Sequence, residues 1–142
     1  MGAAGGNSEK QGKFFAEVRD QLAEAVAAEI ELRWPANPKD PESKSRREAL
    51  EDLERARGER SPKLDSVVIP EGYKYLFDHY FAIRAGAEPG FSGVTVTWAT
   101  IAAYGKATGI EFSSWEAQTM IALDKAAAKA IDGLREKPKN GH

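Results

Sequence analysis

The chain has 142 residues, a formal net charge of −2 and no cysteine. This length fits one domain, or one small domain with an appended segment, and a chain without cysteine has no disulfide, thiol nucleophile or zinc–thiolate site. Acidic and basic residues are interleaved, so the charge does not indicate a nucleic acid, a membrane surface or an acidic substrate as partner. Because no apolar run approaches the roughly 20 residues that cross a bilayer and residues 1–12 lack the pattern of a secretory signal, we expect a cytoplasmic protein.

The first part of the chain predicts a helical arm over residues 13–60, after a glycine-rich N-terminus, residues 1–12, that we expect to be disordered. Its first helix ends at Trp34, because Pro35 prevents continuation. A linker with two prolines follows, and then a charged helix over residues 42–57 with Asp40 as its N-cap. The first helix carries an apolar stripe at helical spacing, formed by Phe15, Val18, Leu22, Val26 and Ile30.

Residues 61–134 predict a helical core domain of about three helices, so the expected fold class is all-α. Pro70 opens an aromatic helix, and a glycine-rich connector follows it. Thr97 is the predicted N-cap of the next helix, which Gly109 ends. The segment 113–116, Ser-Ser-Trp-Glu, is a capping box for the last helix. Residues 135–142 are polar and predict a flexible tail.

No constellation of residues points to a catalytic or metal site. His79 has no partner at suitable spacing, and we predict that it is an exposed helical histidine. Glu116 and Asp124 are eight residues apart, about 12 Å along a helix; we assign Glu116 to the cap and Asp124 to the solvated helix surface. The glycine-rich segment 86–93 lacks the Gly-Lys-Ser/Thr of a phosphate loop. We therefore expect no enzymatic activity, cofactor or metal.

The helix pair 97–107 and 114–133 resembles a DNA-binding helix-turn-helix in its short turn and its cap. However, the second helix has no Lys or Arg before Lys125, whereas recognition helices place cationic groups in their first turns. Glu116 at its start would repel phosphate. DNA binding is therefore the least favoured alternative.

The apolar stripe of the first helix has no obvious cover in a core domain of about 65 residues. An amphipathic helix without a guaranteed cover indicates a protein partner. The candidate partner-binding residues are those of this stripe and the tryptophans, namely Phe15, Leu22, Val26, Trp34, Trp98 and Trp115.

An ordered series of packing and capping segments covers residues 50–125, roughly half of the chain. It comprises Ser-Pro-Lys-Leu-Asp at 61–65, Tyr-Leu-Phe-Asp-His-Tyr-Phe at 75–81, Val-Thr-Val-Thr-Trp-Ala-Thr-Ile-Ala-Ala-Tyr at 94–104 and Ser-Trp-Glu at 114–116. In this order the segments resemble the tail assembly chaperones of long-tailed bacteriophages and prophages. Phe77 departs from a more usual tryptophan, Lys125-Ala126-Ala127-Ala128 replaces a more aromatic ending, and residues 1–45 have no counterpart.

The resemblance implies a non-enzymatic protein of the bacterial host cytoplasm. Such chaperones coat the tape-measure protein before tail-tube subunits polymerise around it, and they are absent from the finished virion. The expected partners are therefore the tape-measure protein and further copies of the chain itself. The alternative from another class is a tail-completion or connector protein that stays in the virion.

Overall fold

The computed structural model describes the backbone of residues 2–87 and 94–140, and the side chains of residues 10–87 and 94–135. Five α-helices and one short 3-10 helix (Pro62–Asp65) lie in this part of the chain, which confirms the all-α class. The helices are α1 (Gly2–Arg33), α2 (Arg46–Arg57), α3 (Lys74–Gly86), α4 (Trp98–Thr108) and α5 (Ser114–Asn140).

Helices α1 and α5 lie side by side and run in the same direction. Phe15 contacts Trp115 with their ring centroids 5.0 Å apart, and one turn later Arg19 Nε donates to Thr119 Oγ1 over 3.2 Å. Further along, Ala27 and Ala130 line the same groove. Two parallel helices need a long connection, and the segment with α2, α3 and α4 provides it. One hydrophobic core joins side chains of α1, α3, α4 and α5.

The description of three core helices preceded by an arm needs correction, because α1 belongs to the core. Leu22 and Val26 are fully buried in the same cluster as Met120 and Leu123 of α5. The amphipathic stripe of α1 therefore finds its cover within the chain, along the apolar face of α5. Local periodicity showed that a cover was needed, but not which helix supplies it.

Both long helices extend beyond their predicted ends. Helix α1 begins at Gly2, although the composition of residues 1–12 predicts disorder, and α5 continues to Asn140 through most of the predicted tail. Residues 2–12 contain no proline, which would interrupt the helical hydrogen-bonding pattern, although their four glycines lower the helix propensity of this segment. Helix α3 continues to Gly86, the first residue of the glycine-rich segment 86–93, and residues 88–93 of that segment lie outside the described residues.

Helix α2 is joined to α1 by ion pairs. Glu29 of α1 is buried and accepts two hydrogen bonds from the Arg47 guanidinium, of 2.9 and 2.6 Å, and one from Arg33. The bonds from Arg47 are the main reason why the pKa of Glu29 lies below its usual value. Ser45 caps α2, not Asp40, so the helix begins at Arg46 instead of Glu42. Asp40 instead accepts a hydrogen bond from the backbone N–H of Glu42 within a turn.

The predicted caps of α4 and α5 are confirmed. Thr97 and Thr100 exchange side-chain and backbone hydrogen bonds at the start of α4, and Gly109 ends it in the left-handed conformation with φ 75°. At the start of α5, Ser113 N–H donates to Glu116 while Ser113 Oγ accepts from Glu116 N–H. Helix α3 begins at Lys74, later than the predicted start at Pro70, because Gly72 adopts φ 89°, which is incompatible with a helix.

Asp124 is the buried polar centre of the fold, contrary to the prediction that it lies on the solvated surface. Only 1% of it is exposed. Its carboxylate accepts hydrogen bonds from the backbone N–H groups of Thr95 and Val96, at 2.7 and 3.0 Å, and from Tyr80 Oη at 2.8 Å. Arg84 Nη1 lies 3.3 Å away and supplies the compensating charge. One side chain of α5 thus holds α3 and the segment that leads into α4.

Replacing Asp124 with alanine should lower the free energy of unfolding by about 3 kcal/mol, because it leaves buried N–H and hydroxyl donors without an acceptor and Arg84 without its partner. Urea denaturation of the variant and the parent chain measures the change. Asp132→Ala, at an exposed position of the same helix, is the control and should change stability by less than about 0.5 kcal/mol. Equal effects of the two substitutions would show that the Asp124 network does not stabilise the fold.

Two helical glycines should respond in opposite ways to alanine. A Cβ on Gly105 would lie 2.7 Å from the backbone oxygen of Ile110, so Gly105→Ala should destabilise the chain by about 1–3 kcal/mol despite its better helix propensity. Gly133 has open space around its Cα, so Gly133→Ala should stabilise by up to about 1 kcal/mol. Thermal unfolding of both variants compares them, and stabilisation by Gly105→Ala would contradict the close approach of the segment after α4.

Candidate partner-binding surface

Five aromatic side chains meet where α3 and α5 begin, beside the middle part of α1, and we call them the aromatic patch: Phe14, Phe15, Tyr73, Tyr75 and Trp115. The rings form a continuous chain of contacts. Centroid distances are 5.6 Å for Phe14–Phe15, 5.0 Å for Phe15–Trp115, 5.9 Å for Trp115–Tyr73 and 6.5 Å for Tyr73–Tyr75. Phe14 also lies 6.5 Å from Tyr73 and so closes the ring of contacts.

The outer members of the aromatic patch are open to solvent. Phe14 is 51% exposed, Tyr75 41% and Phe15 37%, whereas Tyr73 and Trp115 are half-buried beneath them. A contiguous exposed apolar surface on a folded chain marks a site of protein interaction more often than scattered single residues do. Aromatic side chains also dominate the energetics of protein interfaces.

Polar groups hold the patch in place. Tyr75 Oη donates to Glu116 Oε2 over 2.8 Å, which connects α3 to the capping box of α5. The partial burial of Tyr75 raises its pKa to about 12, and the bond to Glu116 adds to this shift. Burial alone would raise the pKa of Glu116, but the hydrogen bonds from Ser113 and Tyr75 outweigh it, so this pKa is lowered. The Arg19 guanidinium lies over the Trp115 ring, 5.9 Å from its centroid.

An acidic groove opens beside the aromatic patch, between α1 and the turn before α3. Its volume is about 260 Å³. Its lining consists of apolar groups together with two carboxylates and one amide. The residues that line it are Phe14, Val18, Pro70, Tyr73, Glu17, Glu71 and Gln21.

A second groove, of about 440 Å³, lies between α4 and the start of α5. Trp98 is its most exposed large side chain, at 59%. Ile101, Phe112 and Ala117 contribute apolar surface, and Lys106 is the charged residue of the lining. Trp98, one of the predicted partner-binding residues, is therefore accessible but forms a surface of its own.

The structure brings together only two of the six predicted partner-binding residues. Phe15 and Trp115 touch each other in the aromatic patch. Leu22 and Val26 have no exposed surface, so they belong to the core and not to an accessible site. Trp34 is half-buried and packs against the same core at the end of α1.

Sequence reasoning missed Phe14 and Tyr75, the two most exposed members of the patch. Phe14 lies beside Phe15 of the α1 stripe, and Tyr75 lies beside Leu76, which is buried in the core. A large aromatic residue adjacent to the stripe, just outside its spacing, is the signal that could have identified them, because it lies at the margin of the buried face.

His79 is half-buried, which corrects the prediction that it is exposed. Its Nδ1 lies 2.8 Å from Tyr104 Oη, and its ring meets the edges of Tyr104 and Phe112. It therefore helps to pack α3 against α4. Within the described ranges, no group of three or more His, Asp or Glu side chains is placed to hold a metal ion. None of the described helices is long and apolar enough to cross a membrane.

Removing the Tyr75 hydroxyl should raise the pKa of Glu116 towards its usual value near 4.5, because the carboxylate loses a hydrogen bond. A carboxylate with a lowered pKa stabilises the fold above about pH 4.5, and this contribution is lost as the pH falls through its folded-state pKa. Tyr75→Phe should therefore be less stable than the parent chain at pH 7 but equally stable at pH 2. Carbon-detected NMR titration of Glu116 and denaturation at both pH values check this. Tyr73→Phe is the control and should leave the Glu116 titration unchanged.

Comparison with known protein families identifies the family of this chain. Residues 53–129, more than half of the chain, match the family model of the phage tail assembly chaperones. Neither the comparison with curated proteins nor that with solved structures found a match. The matched segment contains α3, α4, most of α5 and three members of the aromatic patch, whereas α1 with Phe14 and Phe15 precedes it. This chain belongs to the phage tail assembly chaperone family.

Proposed function

We propose that the chain binds the tape-measure protein of its phage through the aromatic patch and keeps it soluble until the tail tube forms. The family implies a role in tail assembly and phage tail proteins as partners. The aromatic patch supports the finer proposal, because exposed and contiguous aromatic side chains bind apolar segments of another protein. Binding without catalysis in the host cytoplasm suffices for this function.

The size of the patch favours reversible binding. Its exposed part consists of three partly open side chains on a folded core, which is less than an obligate interface uses. A chaperone that must leave when tube subunits arrive needs weak individual contacts. Many copies along one long partner, in contact with one another, would supply the overall affinity through multivalency. We therefore also propose that the chain self-associates on its partner.

The proposal predicts that the chain solubilises its tape-measure protein when both are co-expressed. Size-exclusion chromatography with light scattering should show a complex with several copies of the chain per partner. Phe14→Ser with Phe15→Ser should abolish co-elution, because the two substitutions remove most of the exposed apolar surface of α1 in the patch. Val68→Ser is the matched control, since Val68 is 70% exposed but lies outside the patch, and it should bind normally.

Circular dichroism and urea denaturation establish that the double variant is folded before its binding is compared. A tape-measure protein that stays insoluble beside the parent chain would contradict the proposed function. Normal binding by the folded double variant would leave the function standing but would place the interface elsewhere.

A further inference from the structure

The acidic groove combines apolar walls with two carboxylates, and this combination determines which kind of partner it can bind. We propose that it binds a large apolar side chain of a partner helix that carries Lys or Arg within one turn of that side chain. Identification of this partner helix with a segment of the tape-measure protein rests on the proposed function. The chemistry of the groove itself does not depend on that identification.

The apolar part of the groove is the reason why the partner should insert a large apolar side chain, which we call the anchor. Phe14, Val18, Tyr73 and Pro70 bound a space of about 260 Å³, which is sufficient for one large aliphatic or aromatic side chain. Phe14 is half exposed above it, so an inserted side chain would cover apolar surface that solvent now reaches. The groove is continuous with the aromatic patch through Phe14 and Tyr73, which belong to both.

The charge of the groove is the reason why the partner helix should carry Lys or Arg close to its apolar side chain. Glu17 and Glu71 are both exposed, and neither forms an ion pair within the described part of the chain. The nearest lysine of α3, Lys74, is paired with Asp78 at 2.8 Å. Lys13 precedes Glu17 by one turn without an ion pair between them. The lining thus contains two carboxylates and no cation, so it attracts a positively charged segment and repels an acidic one.

The expected spacing follows from helix geometry. A partner helix that lies over the groove presents residues three or four positions apart on one face. An apolar anchor at one position and Lys or Arg one turn away would therefore meet the apolar wall and the carboxylates at the same time. Neighbouring apolar residues of the same helix would reach the aromatic patch.

Binding of two designed helical peptides to the full chain tests the groove directly. Both peptides carry the same apolar stripe, flanked in one by Lys and in the other by Glu, and isothermal titration calorimetry measures their affinities. The Lys-flanked peptide should bind at least about tenfold more tightly at low salt, and this preference should shrink as NaCl screens the charges. Phe14→Ser should weaken binding of the Lys-flanked peptide.

Charge reversal tests whether the two carboxylates cause the preference for the Lys-flanked peptide. The double variant Glu17→Lys, Glu71→Lys should lose or invert the preference between the peptides. The control variant Glu59→Lys, Glu111→Lys changes the net charge equally at exposed positions outside the groove and should retain it. Equal affinities for the two peptides, binding of neither, or an unchanged preference in the Glu17/Glu71 variant would overturn the proposal. The proposal would also be overturned if the parent chain bound neither peptide but self-associated, and the Glu17/Glu71 variant no longer did so. The occupant of the groove would then be a second copy of the chain.

The same variants, tested on the tape-measure protein, separate this inference from the proposed function. If the parent chain and the Glu17/Glu71 variant solubilise that protein equally, the identification of the tape-measure protein as the partner of the groove fails, while the proposed function stands. If the parent chain does not bind the tape-measure protein but keeps its Lys-flanked peptide preference, the function fails and the groove serves another basic helical partner.

Discussion

The carboxylate of Asp124 is the constraint on which the rest of the fold depends. It lies on α5, accepts hydrogen bonds from two successive backbone N–H groups before α4 and from the buried hydroxyl of Tyr80 on α3, and pairs with Arg84. Burial of an ionised carboxylate is tolerated only when it is fully bonded and its charge is balanced, and this site meets both conditions. Burial and the nearby Asp124 charge raise the pKa of Tyr80, so its hydroxyl remains a donor at every physiological pH.

The parallel arrangement of α1 and α5 explains where the aromatic patch forms. Helices α1 and α5 run in the same direction, and α1 begins well before the level at which α5 starts, so Phe14 and Phe15 in the middle part of α1 lie beside Trp115 in the first turn of α5. The turn before α3 brings Tyr73 to the same place, and Gly72 at φ 89° permits that turn. The core along α1 and α5 is completed by Leu, Val and Met side chains, so the aromatic residues at its end remain partly uncovered.

The surface that results suits temporary binding. A rigid core holds the patch, while the accessible groups are few and are bordered by charges such as those of Glu17 and Glu71. Apolar contacts contribute the affinity for a partner, and the unpaired carboxylates at the edge contribute selectivity between partners. The separate groove at Trp98, bordered by Lys106, has the opposite charge, so the two surfaces would prefer different neighbours in an assembly.

Local chemistry determined the helical class, the caps and several helix ends. Thr97, Gly109 and Ser113 act through groups within four residues of themselves, so their roles can be predicted from the sequence alone. The family resemblance also rests on such short segments. The tertiary structure alone decided that Leu22 and Val26 are core residues, that Asp124 is buried, and that Phe14 and Tyr75 stay exposed. Each of these depends on a partner tens of residues away in the chain, and helical periodicity shows that a face must be covered without identifying what covers it.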